Sequence, residues 1–324
     1  MDSLVPPDSG RGGEPAHNTA QRPLRRRRFL RYTAGGIVVA AAVAVGAVEL
    51  IDRGDLPGQS ALDQLDGACD VAAPDFTPYT KPGPQYSGTF YSKARSTTVG
   101  YTIGYPPGHG PGDPLPLVLM LHGYGFNHAN ALSGLTPAQA LALTVNGGPL
   151  PPMALVTVDG GGGYWNPHPG DNPQAMLVNE LIPMCQRKGL GAGERKIGAM
   201  GISMGGYGAI LLAEKYPELL AAVAAISPAI YTSYAQAHGA NAGAYASPAA
   251  FAASDALTHT APLAKTPIRV ASGYSDPFYP GVQVLARALP KSAEVHFGKG
   301  CHTGPFFNAQ EPPSLAFLAR HLTA

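Results

Sequence analysis

The chain has 324 residues, of which 41 are glycine and 33 are proline, while only 13% are charged and 45% are hydrophobic. This composition excludes a charged disordered chain and a coiled coil, and it predicts a folded core with many loops. Residues 1–31 hold seven of the 22 Lys and Arg against three of the 21 Asp and Glu, so the rest of the chain is mildly acidic, which argues against nucleic-acid binding by a basic patch on the folded domain.

A basic segment near the N-terminus is followed by an uncharged run. Residues 26–31 read Arg-Arg-Arg-Phe-Leu-Arg, which fits the twin-arginine export pattern, and residues 32–48 carry no charged side chain. The pattern predicts that residues 1–51 export the following domain to the cell envelope or the extracellular space. The segment is either cleaved or kept as a membrane anchor over residues 32–51, and the sequence leaves both outcomes open.

The next residues, 52–85, contain several prolines and are predicted to form an extended linker or an arm on the domain surface. Residues 86–324 are then the predicted catalytic domain. Membrane contact is expected only through the N-terminal segment, and the sequence leaves the oligomeric state open.

From residue 87 onward, apolar patterns predict strands that alternate with helices. The predicted strands are Ser87–Tyr91, Thr97–Tyr105, Leu115–Leu121, Ala154–Val158, Lys196–Ile202, Ala221–Ser227, Ile268–Ser272 and Ala293–Phe297. The predicted helices are Pro173–Lys188, Met204–Tyr216 and Pro313–Leu322. This order predicts an α/β fold with an open, mostly parallel sheet covered by helices on both faces. In such sheets, ligands bind at the carboxyl ends of the strands.

A candidate nucleophile lies at one of these strand ends. Residues 201–205 read Gly-Ile-Ser-Met-Gly, the G-x-S-x-G pattern, between a predicted strand and a predicted helix. The flanking glycines fit a sharp turn that exposes the serine hydroxyl. Ser203 is therefore the predicted nucleophile, and the alternative is a glycine-rich structural turn.

A serine hydroxyl needs a base, and the base needs an orienting acid. His302 follows the last predicted strand and is the predicted base, whereas His296 lies inside that strand and is expected to be structural. Asp276 follows the preceding strand and is the predicted acid, whereas no strand precedes Asp255. The chain order Ser203, Asp276, His302 is the order of α/β-hydrolases.

Two backbone N–H groups are predicted to bind the oxyanion that develops during acyl transfer. One belongs to Met204, at the start of the helix after Ser203, and the other belongs to Tyr124, after the third strand. His122 is expected to be a structural loop histidine and not a second base, nor a metal ligand with His128 and His168. No metal site and no cofactor are predicted.

A loop with four consecutive glycines, residues 160–163, precedes Tyr164 and Trp165. These two aromatic side chains are predicted to form a wall of the substrate site, and the alternative is that the tryptophan packs inward. Because no Lys or Arg occurs between Arg95 and Arg187, the predicted ester substrate is uncharged or lipid-like.

Three cysteines in an exported protein allow one disulfide and one free thiol, and their spacing excludes common zinc sites. The helix that contains Cys185 runs away from the carboxyl edge of the sheet, which disfavours a Cys185–Cys301 bridge. Cys69 is therefore the expected partner in any disulfide.

Residues from about 87 to 324 resemble the Putative esterase family of α/β-hydrolases, which includes S-formylglutathione hydrolases, feruloyl esterases and mycolyltransferases. The matching motifs are Leu121–Tyr124, Asn179–Pro183, Gly201–Ala209 and the segments around Asp276 and His302. The resemblance implies Ser203 as nucleophile, His302 as base, Asp276 as orienting acid, and the Tyr124 and Met204 amides as the oxyanion hole.

Three functions are compatible with these observations. An exported serine esterase is favoured. A cell-envelope acyltransferase that uses the same three residues is the first alternative, and an inactive surface-displayed binding protein is the second.

Overall fold

A computed structural model describes residues 62–63, 65–72, 78, 80–193 and 196–322 of the chain. The predicted export segment, residues 1–51, lies outside the described residues, as does half of the predicted linker, residues 52–85. In the part of the chain that is described, no helix combines the length and the apolar character needed to cross a bilayer.

A large sheet forms the centre of the described domain. The strands are β1 (Gln85–Ser92), β2 (Thr97–Gly104), β3 (Leu117–Leu121), β4 (Thr144–Val145), β5 (Gly148–Pro149), β6 (Ala154–Val158), β7 (Ile197–Ile202), β8 (Leu220–Ile226), β9 (Ile268–Ser275) and β10 (Glu294–Cys301). Eight of them form one sheet in the order β1-β2-β6-β3-β7-β8-β9-β10, and β4 and β5 form a small hairpin. β2 pairs antiparallel with β1 and with β6, and all other neighbours in the large sheet are parallel. The predicted open, mostly parallel sheet is confirmed.

Helices cover both faces of this sheet. They are α1 (Pro137–Leu141), α2 (Pro173–Met176), α3 (Ile182–Arg187), α4 (Met204–Lys215), α5 (Tyr234–Ala240), α6 (Pro248–Ala252), α7 (Tyr279–Ala288) and α8 (Gly304–Leu322). A π-helical turn, Leu177–Leu181, joins α2 to α3, so the predicted helix Pro173–Lys188 is present with a widened turn inside it. The widened turn ends at Leu181, two residues before Pro183, which has no N–H to donate to a regular helix.

The continuous apolar runs arise because the central strands are buried on both faces. In β3, Leu117, Leu119 and Leu121 pack in the core that also contains α4, whereas Val118 and Met120 pack in the core that contains α8. Neighbouring residues of a strand point to opposite faces, so a strand between two helical layers buries the side chains on both of its faces.

One helix boundary was predicted wrongly. α8 begins at Gly304, well before the predicted start at Pro313, and it contains Pro312 and Pro313 in its interior. Proline is favoured in the first turn of a helix, which is why the sequence pattern indicated a start there. Burial of Phe306 and Leu315 along the same helix keeps it continuous across the prolines.

Candidate active site

Ser203 lies at the junction between β7 and α4. Its backbone has φ +57° and ψ −119°, a conformation that is rare for a residue with a side chain. Glycine is required on both sides of this turn: a Cβ at Gly201 would collide with the backbone of Gly205, and a Cβ at Gly205 would collide with the Leu121 carbonyl. The G-x-S-x-G pattern therefore reflects close backbone packing between the turn and the sheet.

The structure brings Ser203, Asp276 and His302 together in one chain of hydrogen bonds. The Ser203 Oγ–H donates to His302 Nε2 at 2.8 Å, and His302 Nδ1–H donates to Asp276 Oδ2 at 2.8 Å. The second carboxylate oxygen, Oδ1, accepts from the Phe278 N–H at 2.8 Å. The Asp276 side chain is fully buried, while 23% of the His302 side chain remains exposed toward the cleft. This arrangement can pass the serine proton to a histidine whose tautomer is held by a buried carboxylate.

The two alternative residues lie elsewhere. Asp255 accepts the Leu257 N–H at 3.0 Å and makes no hydrogen bond to His302. His296 lies within β10, and burial lowers its pKa below the ordinary value, with a further lowering by the nearby charge of Arg269.

The loop after β3 forms a tight turn beside Ser203. The Phe126 N–H donates to Gly123 O at 3.2 Å, and Gly125 has φ +79°. Tyr124 is thus the second residue of a type II turn, a position whose N–H is not used by the turn. A Cβ built on Gly123 would lie 3.7 Å from Ser203 Cβ, which shows how close the turn approaches the nucleophile.

The other predicted donor is the N–H of Met204. It is the first backbone N–H group of α4 and has no acceptor within the helix. Both N–H groups therefore belong to backbone next to Ser203 and both are free of secondary-structure hydrogen bonds.

His122 is a structural histidine in the loop after β3. Its Nδ1–H donates to Gly123 O at 2.8 Å, and its Nε2 accepts the Gly160 N–H at 2.8 Å. The ring is buried, and desolvation lowers the pKa of His122 below its usual value, so the ring is neutral. The Trp165 Nε1–H donates to His122 O at 3.2 Å, and the histidine thereby joins the loop after β3 to the glycine loop after β6.

Trp165 does not contact the cleft, and the prediction that it forms a substrate wall is wrong. Its side chain is completely buried, with Gly160 on one side and Gly208 on the other. Side chains at those two positions would occupy the space of the indole ring. The tryptophan therefore packs inward, and Tyr164 alone of the predicted pair borders the cleft.

Tyr164 is held by an aromatic cluster. Its hydroxyl shares a 2.6 Å hydrogen bond with the Tyr231 hydroxyl, and burial raises the pKa of Tyr164 far above its usual value. The Arg95 guanidinium donates to the carbonyl of Asp159, before Tyr164 in the chain, at 2.7 Å. It also donates to both carboxylate oxygens of Asp171, after Tyr164, at 2.7 and 2.9 Å. This buried guanidinium anchors the loop that carries Tyr164.

A cleft of about 540 Å³ opens above Ser203 and His302. Of the described residues that line it, none is Lys, Arg, Asp or Glu. Most of its apolar lining was not identified from the sequence, because the residues come from distant segments: Phe126, Ala131, Leu132, Ile202, Tyr231, Phe278 and Phe307. The amide side chains of Asn130 and Asn241 add polar groups at its border.

The described residues contain no group of three or more His, Cys, Asp or Glu arranged to hold a metal ion. His128 and His168 are engaged separately, the first with Asp159 Oδ1 at 2.8 Å and the second with Gly163 O at 2.9 Å.

The cysteine prediction is confirmed. Cys69 and Cys301 form a disulfide with a Cα–Cα distance of 4.8 Å, and Cys185 is a buried free thiol. Burial raises the pKa of the Cys185 thiol to about 12, so it is neutral at physiological pH.

Comparisons with solved structures identify the fold. The chain is similar to a ferulic acid esterase, with a TM-score of 0.61 and 17% identity over 74% of this chain and 98% of the other. It is also similar to an S-formylglutathione hydrolase from Agrobacterium tumefaciens, with a TM-score of 0.59 and 18% identity over 76% and 98% of the two chains. The fluorophosphonate-binding serine hydrolase FphF of Staphylococcus aureus gives a TM-score of 0.53 and 15% identity over 74% and 99%. These likenesses show the α/β-hydrolase fold.

Sequence comparison identifies the family. A search of curated proteins found no match. The model of the family described as "Putative esterase" matches residues 92–296. Because this match spans more than half of the chain, the protein belongs to the Putative esterase family of α/β-hydrolases.

Proposed function

We propose that the protein is an exported serine esterase that hydrolyses carboxylic esters through an acyl-enzyme on Ser203. The observation that carries the proposal is the continuous hydrogen-bond chain from Ser203 through His302 to Asp276, which ends in a buried carboxylate. A neutral histidine in this position can accept the serine proton as the bond to the ester carbonyl forms.

The reaction proceeds in two halves. Ser203 Oγ attacks the ester carbonyl while His302 Nε2 takes its proton, and the Tyr124 and Met204 N–H groups bind the oxyanion. His302 then returns the proton to the leaving alcohol as the carbon–oxygen bond of the ester breaks. A water molecule that loses its proton to His302 attacks the acyl-enzyme, which releases the acid and restores Ser203.

The cleft favours an uncharged ester. The described residues that line it are mostly apolar and include no Lys or Arg, so they offer no cationic side chain to a carboxylate on the substrate. Glutathione carries carboxylates, so a glutathione thioester fits this cleft less well than a neutral aryl or alkyl ester. No cofactor takes part in the proposed reaction.

Two observations support export. Residues 26–31 match the twin-arginine pattern, and the Cys69–Cys301 disulfide belongs to the class of bonds that persist in oxidising compartments.

The proposal is tested with Ser203→Ala, which removes the nucleophile. We expect kcat for a neutral p-nitrophenyl ester to fall by at least about 10³-fold, with an unchanged thermal unfolding midpoint. Ser87→Ala, on the edge strand β1 and outside the cleft, is the matched control and should keep kcat within about twofold of wild type. Wild-type hydrolysis by Ser203→Ala would disprove the proposal.

Acyl transfer is a second candidate because the mouth of the cleft offers surface for an acceptor alcohol. The side chains of Tyr124 and Phe126 line the cleft, yet they are 57% and 55% exposed. Product analysis with an added alcohol separates the two reactions: transfer in excess of hydrolysis would favour an acyltransferase. Stoichiometric labelling of Ser203 by a fluorophosphonate would exclude an inactive binding protein.

A further inference from the structure

The residues that precede His302 and Asp276 pair with each other at the end of the sheet. Cys301, directly before His302, is the last residue of β10 and pairs with Ser275, the last residue of β9. Asp276 follows Ser275 directly, so this pairing places the two side chains opposite each other. Among the strands that the structure describes, β10 lies at the edge of the sheet and has β9 as its one neighbour.

The pairing at this point is irregular. Gly298 pairs with Gly273 and Cys301 pairs with Ser275, so β10 uses one residue more than β9 between the two pairs. This is a β-bulge. Gly300 within it has φ +144°, and the backbones are so close that a Cβ on Gly273 would collide with the Gly300 carbonyl.

Loss of the bulge would displace the histidine. A regular register would shift His302 along the strand by one residue, about 3.3 Å, and would turn its side chain to the other face of the sheet. Neither 2.8 Å hydrogen bond of His302 would survive that shift.

A second segment of the chain contacts the bulge through Cys69 and Val71. The disulfide joins Cys301 to Cys69, whose N–H donates to Asp63 O at 3.1 Å. Val71 from the same segment lies against the bulge, since a Cβ on Gly300 would come within 3.1 Å of Val71 Cγ2. Neither cysteine lines the cleft.

We propose that the Cys69–Cys301 disulfide is a positioning device for His302, which holds β10 in the bulged register where the ring reaches both Ser203 and Asp276. The inference rests on the proposed role of His302 as the catalytic base. Because the disulfide lies outside the cleft, it acts on the chemical step through His302 and not on substrate binding. Opening it should therefore lower kcat and leave KM nearly unchanged.

The first test is Cys69→Ser in the full chain, purified from an oxidising compartment. With a neutral p-nitrophenyl ester we expect kcat to fall at least tenfold and KM to stay within twofold of wild type. The rate of fluorophosphonate labelling of Ser203 should fall in parallel, because it reports activation of the same hydroxyl. Cys185→Ala is the matched control, since it removes a cysteine and keeps the disulfide, and its kcat should match wild type.

The second test uses the folded wild-type protein, and it remains decisive if Cys69→Ser does not fold. Reduction with a phosphine at 25 °C should lower kcat by the same factor, and reoxidation should restore it. The reductant should act equally on Cys185→Ala and should leave folded Cys69→Ser unchanged. Circular dichroism during the reduction shows whether the fold is retained.

Three results would overturn the inference. The first is an unchanged kcat and a lower unfolding midpoint after the disulfide is opened, which would make the disulfide purely stabilising. The second is a raised KM with an unchanged kcat. The third is a loss of kcat that occurs only when the fold is lost. Failure of the esterase proposal looks different, because Ser203→Ala would then keep its activity whatever the state of the disulfide.

Discussion

At the scale of single residues, the backbone of Ser203 combines strain with close support. A side-chain-bearing residue in such a conformation costs about 1–3 kcal/mol. The Ser203 N–H donates to Ile226 O at 2.9 Å, and its carbonyl accepts the N–H groups of Tyr207 and Ala229 at 3.0 Å each. These bonds to β8, to the loop after β8 and to α4 hold the turn in place, so the hydroxyl stays directed at His302 before any substrate arrives.

Tyr124 allows a direct test of the proposed oxyanion hole, because its turn type accepts proline. Proline is favoured at the second position of a type II turn and lacks an N–H, so Tyr124→Pro removes the proposed donor and preserves the turn. Tyr124→Ala removes the ring and keeps the N–H. We expect kcat of the proline variant to lie about 10²-fold below that of the alanine variant, as measured with a short p-nitrophenyl ester. Equal kcat values in two folded variants would exclude the Tyr124 N–H from the oxyanion hole.

At the scale of elements, the site depends on how closely α4 approaches β3. Gly205 lies in the first turn of α4, and its hydrogen occupies the place where a Cβ would meet the Leu121 carbonyl. Gly239 in α5 is a matched contrast, since a Cβ there would have no atom within 4 Å. The two glycines thus have the same secondary structure and opposite surroundings.

Replacement of each glycine by alanine should therefore have opposite effects on stability. Gly205→Ala should lower the free energy of unfolding by about 3 kcal/mol, because α4 must move away from the sheet. Gly239→Ala should raise it by about 0.5 kcal/mol, because alanine is the better helix former. Urea denaturation measures both, and a Gly205→Ala variant as stable as wild type would show that the elbow tolerates a wider spacing.

At the scale of the whole molecule, two buried carboxyl groups lie outside the proposed mechanism. Burial raises the pKa of Glu214 to about 8 and that of Glu311 to about 7, the latter despite a hydrogen bond from the Ser133 N–H at 2.6 Å. In the part of the chain that the structure describes, neither oxygen of Glu214 has a hydrogen-bond partner. Both groups are therefore protonated in the folded protein under mildly acidic conditions.

The protein should become less stable as the pH rises from 6 to 9. A carboxyl group whose pKa is higher in the folded state stabilises that state fully below its unfolded pKa, and this contribution is lost as the pH rises through the folded pKa. We expect the free energy of unfolding to fall by about 2–4 kcal/mol over this range, as measured by urea denaturation.

Glu214→Gln should reduce the slope of this pH dependence to the part that Glu311 contributes, because the amide stays neutral at every pH. Glu218→Gln, at an exposed position shortly after α4, should leave the dependence as in wild type. The assignment to Glu214 fails if both variants show the same slope as the wild-type protein.

Local patterns in the amino-acid sequence were sufficient for the strand order along the chain, for the turn at Ser203 and for the strand ends that carry Asp276 and His302. Each of these features has a short-range physical cause: burial on two faces produces continuous apolar runs, and a sharp turn needs flanking glycines. The sequence could therefore propose the three residues without knowledge of any distance between them.

Only the tertiary structure decided which distant residues meet. The cleft is lined by side chains from separated loops and helices, such as Phe126, Tyr231 and Phe307, and nothing in their local sequence marks them. Trp165 packs inward because Gly160 and Gly208, far apart in the chain, leave room for it. The amino-acid sequence by itself determined which chemical groups are available at each strand end. Packing of the sheet and its helices determined which of those groups touch, because contact depends on how the chain folds between two residues and not on the local pattern around either one.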